Sequence, residues 1–257
     1  MSRLRAKCPD CLTYTAVALD GDYQCHSCGR DFVAGLVRVP RAWGDGGEAM
    51  AEAASLPLAY PEAAVVEEES LRDQTLALAS SLPERPLLLG GCCCSHVGVV
   101  EGLAAQHGRL AVVWLDAHGD LNTPDSSPSG NEWGMPLRML IDGGAIDADD
   151  VALIGARNLD PPEEEFIAAS GLHTGAGGVD GALAGAGAVY VALDVDVFEP
   201  SEMAVFMPEP GGPSLVEIEQ LLASIRDRAP VLGAGFTGLT PDSANVPKLE
   251  RLATALF

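Results

Sequence analysis

From residue 71 onward, short apolar runs alternate with longer stretches at helical spacing. The runs Leu87–Leu89, Ala111–Leu115, Val151–Ile154, Val189–Leu193 and Val231–Ala234 are almost uninterrupted. That pattern belongs to strands buried on both faces of a parallel sheet. Helical stretches fall near Val97–Gln106, Pro136–Ile141, Pro162–Ala169 and Ser214–Ala229. Another, Leu71–Leu82, precedes the first run and stops at Pro83. Strand and helix in alternation predict an α/β fold with right-handed crossovers and helices on both faces of the sheet. Residues 40–70, rich in Ala, Gly, Pro and Glu, yield no assignable element.

Polar runs follow three of the predicted strands. Leu89 leads to Gly90-Gly91-Cys92-Cys93-Cys94-Ser95-His96, Leu115 to Asp116-Ala117-His118-Gly119-Asp120, and Leu193 to Asp194-Val195-Asp196. Open α/β sheets build their sites at the carboxyl ends of strands, so these runs aim at one crevice. Alternate side chains of an extended segment share a face, which groups Asp116 with His118 and Asp120, and Asp194 with Asp196. Buried together, these carboxylates repel one another unless cations join them. Two divalent ions about 3.5–4 Å apart meet that need and acidify a shared water. Oxygen-rich ligation with one imidazole suits Mn²⁺ better than copper. The plainer alternative is that the aspartates only cap the turns after their strands. Two pairs together with a histidine weigh against it.

Before residue 40 the pattern changes. Cys8-Pro9-Asp10-Cys11 and Cys25-His26-Ser27-Cys28 stand thirteen residues apart. Paired CxxC turns present four thiolates, the shell of a tetrahedral structural zinc. Between them Tyr14–Leu19 and Asp20-Gly21 predict a strand and a hairpin turn. We therefore expect a zinc ribbon in residues 1–38 and one α/β domain in residues 39–257. A segment so short builds little core of its own, so the metal would supply its folding energy.

Charge narrows the partners. The net charge is −22, and the acidic excess lies beyond residue 41, since residues 1–41 hold six bases and four acids. Such a field repels phosphate backbones, which argues against nucleic acid and leaves the ribbon a structural or docking role. No run approaches the roughly 18 apolar residues of a membrane span, and no apolar segment follows the basic first residues. The expected location is cytoplasmic, with no membrane partner.

Asp116-Ala-His118-Gly-Asp120, followed by Asn122-Thr-Pro and Ser129-Gly-Asn131-x-x-Gly-Met-Pro136, resembles the arginase branch of the ureohydrolase superfamily. Ala192-Leu-Asp194-Val-Asp196 is similar to its second metal motif, and Gly90-Gly91 to the start of its Gly-Gly-Asp-His-Ser motif. The resemblance covers residues 85–241 and implies a three-layer α/β sandwich, homo-oligomers (trimers or hexamers), two divalent metals and hydrolysis of amidine C–N bonds. It implies metal ligands at Asp116, His118, Asp120, Asp194 and Asp196, with Asp120 also accepting a proton from the shared water. Asn122, Ser129 and Asn131 would hold the carboxylate end of an amino-acid substrate, and Asp160 its amine.

Four positions depart from that pattern. Cys93 stands where the family has its first metal-binding histidine. Trp133 replaces a proton-shuttling histidine, Glu199 an aspartate, and Gly238 the glutamate that grips a guanidinium. An unpaired buried charge costs about 3–5 kcal/mol, so arginine itself is expected to be a poor substrate. Three arrangements stay open at Cys93: a thiolate ligand favouring Zn²⁺ or Fe²⁺, an inert protonated thiol, or His96 reaching back in its place. The expected function is metal-dependent cleavage of a C–N bond in a small amino-acid-like compound. The alternative is a non-catalytic arginase-like protein that binds metal or a metabolite.

Overall fold

The computed structural model describes residues 8–257 apart from 9, 12, 14, 20, 21, 33 and 61. Near the N-terminus β1 (Ala16–Leu19), β2 (Asp22–Cys25) and β3 (Asp31–Phe32) form a small antiparallel sheet. β1 and β2 pair as the expected hairpin, though Tyr14, Asp20 and Gly21 lie outside the described residues.

Among the described residues the large sheet has eight strands. In chain order they are β4 (Ala34–Val39), β5 (Glu62–Val65), β6 (Arg85–Gly90), β7 (Ala111–Leu115), β8 (Val151–Ile154), β9 (His173–Thr174), β10 (Val189–Asp194) and β11 (Val231–Thr237). They lie side by side in the order β5-β4-β6-β11-β10-β7-β8-β9, every pairing parallel. All five apolar runs are strands. β4, β5 and β9 are strands that no unbroken apolar run announces. β4 carries Arg38 in its interior, a charge the fold accommodates because Arg38 Nε donates to Glu62 Oε2 at 2.6 Å and Nη1 to the Leu56 carbonyl at 2.8 Å. Residues 34–38, expected in the ribbon, thus lie in the large sheet, and the small sheet ends at Phe32.

Among the described residues eight α-helices accompany the sheet: α1 (Glu48–Ala53), α2 (Leu71–Ser80), α3 (Ser95–His107), α4 (Pro136–Asp142), α5 (Pro161–Ser170), α6 (Val179–Leu183), α7 (Leu215–Arg228) and α8 (Val246–Leu256). Strand side chains alternate between two cores. Val189, Val191 and Leu193 of β10 pack with Val179 of α6, Leu222 of α7 and Leu252 of α8. Tyr190 and Ala192 face the opposite way, with Leu78 of α2, Val99 of α3 and Leu137 of α4. The result is the expected three-layer sandwich. Each fully buried aliphatic side chain contributes about 1.5–3 kcal/mol. α7 begins with a capping box, Ser214 and Glu217 each accepting the other's backbone N–H, which fixes its first turn.

The small sheet rests on the edge of the large one. Tyr23 stacks on Phe32 with ring centroids 5.6 Å apart, and both pack with Cys8, Ala16, Cys25 and Ala63 of β5. Among the described residues no helix is long and apolar enough to cross a membrane.

Candidate metal centre

Adjacent strands β6, β11, β10 and β7 end around a cavity of about 190 Å³. Its floor consists of Cys93, Asp116, His118, Asp120, Asp194 and Asp196. All are buried except His118, which is partly exposed. The aspartates do cap their turns: Asp116 Oδ1 accepts the His118 N–H at 2.7 Å and Asp194 Oδ1 the Asp196 N–H at 2.9 Å. Asp196 Oδ1 accepts the Ala117 N–H at 3.0 Å, tying the two loops together. Capping and convergence therefore coexist, and one oxygen of a carboxylate serves the turn while the other faces the cavity. The convergence does not come from strand alternation. β7 stops at Leu115 and β10 at Asp194, and Asp120 adopts a left-handed backbone at φ 54°. A non-glycine residue is rare there, and such strain gathers at functional sites.

The donors sort into two sets. Cys93, Asp116 and Asp120 offer ligand atoms within 4.8 Å of one another, as do Asp116, His118 and Asp196. Asp116 belongs to both. Asp194 stands beside the first set, its Oδ2 2.9 Å from Cys93 Sγ. His118 Nδ1 lies 3.0 Å from Asp196 Oδ2 and 3.4 Å from Asp116 Oδ1. His96 joins neither set. Its ring nitrogens contact Tyr190 Oη at 2.8 Å and Thr237 Oγ1 at 3.2 Å, so it does not reach back to replace Cys93.

Electrostatics explain what the floor needs. Burial, then the charge of Asp196, raises Asp194 to about 7. Burial, then Asp116, raises Asp196 to about 6. Burial, then Asp116, pushes Asp120 well above the usual carboxylate range. Burial alone would lower His118, but the Asp116 and Asp196 carboxylates prevail and hold it up at about 12. Burial, then Asp194, raises the Cys93 thiol. Without cations the floor therefore holds protons. Asp120 Oδ2 is buried and has no hydrogen-bond partner. An orphaned carboxylate oxygen among converging anions fits divalent cations in the protons' place.

The walls differ from expectation in detail. Asn122, Ser129 and Asp160 line the cavity. Asn122 Nδ2 donates to Asp160 Oδ2 and its Oδ1 accepts from Ser126 Oγ, both at 2.8 Å. Asn131 is not among the lining residues, and its carboxamide oxygen accepts the Asp45 N–H at 3.0 Å. Trp133 does line the cavity, edge-on to Phe206 with centroids 5.9 Å apart, and Met50 and Met207 extend this apolar wall. Phe206 reaches it because its N–H donates to the Gly238 carbonyl at 2.8 Å. Gly238 has φ 72° and lies against Asp194, so a Cβ there would strike the carboxylate. Cys92 and Cys94 pack with Met50 and Trp133.

Several residues of the site went unread in the sequence. Glu163 accepts the N–H groups of Leu121 and Asp160, each at 2.9 Å, and the Asp160-Pro-Pro-Glu163 capping box was the available signal. Glu209 Oε1 lies 3.8 Å from His118 Nε2 and accepts from Asn158 at 2.8 Å. Arg157 clamps the loops, donating to the carbonyls of Asp196 at 2.9 Å and Glu209 at 2.7 Å.

Apart from the crevice, Cys8, Cys11, Cys25 and Cys28 bring their sulfurs within 4.8 Å of one another. The pairs Cys8–Cys28 and Cys11–Cys25 are 3.5 Å apart and not disulfide-bonded. Zinc–sulfur bonds of about 2.3 Å in a tetrahedron separate sulfurs by about 3.8 Å, so the spacing fits.

Kinship agrees with this geometry. The arginase of Bacillus subtilis (strain 168) is 32% identical over 197 residues, 66% of this chain and 67% of that protein. The arginase of Staphylococcus aureus (strain COL) is 44% identical over 92 residues, and the chain spans only 30% of its length. The crystal structure of arginase from Bacillus subtilis superposes with a TM-score of 0.76 at 24% identity, covering 88% of this chain and 98% of that one, which shows the shared fold. Residues 48–257 match the Arginase family, a stretch that starts after the four N-terminal cysteines and takes in every floor residue. By that match the chain is a member of the arginase family.

Proposed function

We propose that the protein is a binuclear-metal hydrolase that cleaves a C–N bond in a small amino-acid-like compound, and that arginine is not its preferred substrate. The observation that carries this reading is the pair of donor sets sharing Asp116 on the cavity floor. Cys93, Asp116 and Asp120, with Asp194 beside them, would hold one ion, and Asp116, His118 and Asp196 the other. When bound, two such ions supply Lewis acidity and lower the pKa of water. The carboxylates and imidazole favour Mn²⁺, whereas a thiolate at Cys93 favours a softer ion such as Zn²⁺ or Fe²⁺.

The protein's own groups would do the rest. Asp120 Oδ2, buried and unpartnered, is placed to take a proton. Asn122, Ser129 and Asp160 offer polar contacts at the mouth, while Trp133, Phe206, Met50 and Met207 keep water from the opposite wall. Gly238 bears against Asp194, leaving no room there for a carboxylate to meet a guanidinium. A guanidinium carries five donors and seeks a bidentate acid, so its absence lowers affinity for arginine. In the ribbon, Cys8, Cys11, Cys25 and Cys28 would hold one structural zinc.

The test is a screen of the full chain, loaded with Mn²⁺, Zn²⁺ or Fe²⁺, against guanidino, ureido, formimino and amide compounds, read as ammonia or urea release. We expect turnover of at least one class, abolished by Asp116→Asn, with arginine slow. Full metal occupancy without turnover of any class would favour the non-catalytic reading. Arginine cleavage near a typical 10 s⁻¹ would overturn the substrate assignment.

A further inference from the structure

Tyr190 in the middle of β10, His96 in the first turn of α3 and Thr237 at the end of β11 are all fully buried. They touch in series. Tyr190 Oη lies 2.8 Å from His96 Nδ1, and His96 Nε2 lies 3.2 Å from Thr237 Oγ1. Thr237 Oγ1 in turn lies 3.1 Å from Cys93 Sγ and 3.3 Å from Asp194 Oδ2. We propose that this chain positions the two metal-site groups at its end, holding a hydroxyl donor on the Cys93 sulfur and the Asp194 carboxylate. The inference rests on the reading of Cys93 and Asp194 as metal ligands.

Hydrogen-bond direction follows from what each group can do. A buried tyrosine hydroxyl must donate, and the partner it has is His96 Nδ1. The imidazole then carries its proton on Nε2 and donates it to Thr237 Oγ1. Thr237, its oxygen engaged from behind, turns its own proton forward to sulfur or carboxylate. The opposite tautomer leaves the tyrosine proton without an acceptor. Each ring nitrogen faces a different buried hydroxyl, so the two keep distinct roles.

The surrounding structure makes room for this chain. A Cβ at Gly235 would lie 2.8 Å from Tyr190 Oη and 2.7–2.9 Å from the His96 ring, so any side chain there would disturb that hydrogen bond. His96 also stands edge-on to Trp114, centroids 5.3 Å apart, and the indole Nε1 donates to Asp116 Oδ2 at 3.3 Å. His96 thus packs on the indole that donates to the carboxylate common to both donor sets. An apolar trio could fill the same space, whereas only a polar one fixes where the Thr237 proton points. Outer partners of this kind typically change metal affinity by about 10–100-fold.

The test uses the full chain with its four N-terminal cysteines first saturated with Zn²⁺, so that Co²⁺ probes the crevice alone, read by chelator-competition affinity and by the near-ultraviolet sulfur-to-cobalt charge-transfer band. Thr237→Val keeps the side-chain shape and removes the hydroxyl. It should weaken the first Co²⁺ about 10–100-fold and shift the band. Thr237→Ser should stay close to wild type, and Tyr190→Phe should give a smaller loss of the same sign. Thr237→Val with unchanged affinity and spectrum would overturn the proposal. Cys93→Ser separates this outcome from the ligand assignment beneath it. If the band vanishes in Cys93→Ser while Thr237→Val is silent, Cys93 is a ligand and the chain does not position it. If wild type shows no band at all, the thiolate ligand is rejected, and with it the arm of the chain that ends on sulfur.

Discussion

In the N-terminal cysteine cluster four thiols lie within 4.8 Å of one another, and two of them, Cys8 and Cys25, sit in a small core with Ala16, Tyr23, Phe32 and the borrowed Ala63. In the crevice, the donors hang from strands whose two cores hold dozens of buried aliphatic side chains. Two of the cluster's four cysteines are core residues, so on the proposed reading zinc ligation and folding would be the same event there. The floor aspartates lie at or past the ends of strands whose cores are built from other residues, so the large sheet does not draw its core from them and would present a site that attracts cations. On this account the metal holds the ribbon together, whereas the fold holds the crevice open for the metal.

The largest expected effect is in the ribbon. Cys25→Ser should abolish its zinc and leave the small three-stranded sheet open to proteolysis, because structural zinc binding supplies about 10–16 kcal/mol at neutral pH. Zinc analysis and limited proteolysis check this, and a ribbon that stays resistant without zinc would erase the contrast. Next comes Asp194→Ala. The large domain should still fold without metal, but the added stability of the metal-loaded protein, about 2.7 kcal/mol at a hundredfold excess over Kd, should shrink in thermal melts. An unfolded Asp194→Ala domain would mean that the crevice too depends on its ligands for folding.

The pH response should be smaller and opposite in sign for the two regions. In the chelator-treated protein, Asp194 and Asp196 stand near 7 and 6, above the ordinary value of about 3.9. Folded protein then holds protons that the unfolded chain releases. That contribution is fully present below about pH 4 and lost as pH rises through 6 and 7. His118, raised to about 12, acts in the same direction at higher pH. The metal-free melting temperature of the large domain should therefore fall between pH 4 and 7, and saturating Mn²⁺ should remove that slope. The ribbon should instead lose zinc on acidification, since its thiolates must be deprotonated to bind. Melting curves with and without chelator distinguish the two, and parallel trends would contradict the comparison.

Much of this was legible in the sequence. The strands at residues 87, 111, 151, 189 and 231 announce themselves because burial on both faces demands unbroken apolar runs. β4 hides behind Arg38, whose charge is neutralised by a partner 24 residues away, and β9 has only two residues to show. The floor aspartates were legible by their place after strands, although the geometry that unites them is turn capping and a left-handed Asp120 rather than alternation. Asn131 does not line the cavity, and nothing local in the sequence reveals that its amide serves the backbone of Asp45, 86 residues earlier. The contacts of His96 with Tyr190 and Thr237 span 94 and 141 residues, distances over which one sequence carries no visible pattern.

Asp116 is the point on which the crevice turns, because both donor sets include it. The direct measurement is metal content of the full chain after Mn²⁺ loading and removal of excess, comparing wild type with Asp116→Asn, Cys93→Ser and Asp196→Asn. The account predicts that Asp116→Asn loses both crevice ions and keeps the ribbon zinc, while each of the other two variants loses one crevice ion. Retention of both crevice ions in Asp116→Asn would contradict it.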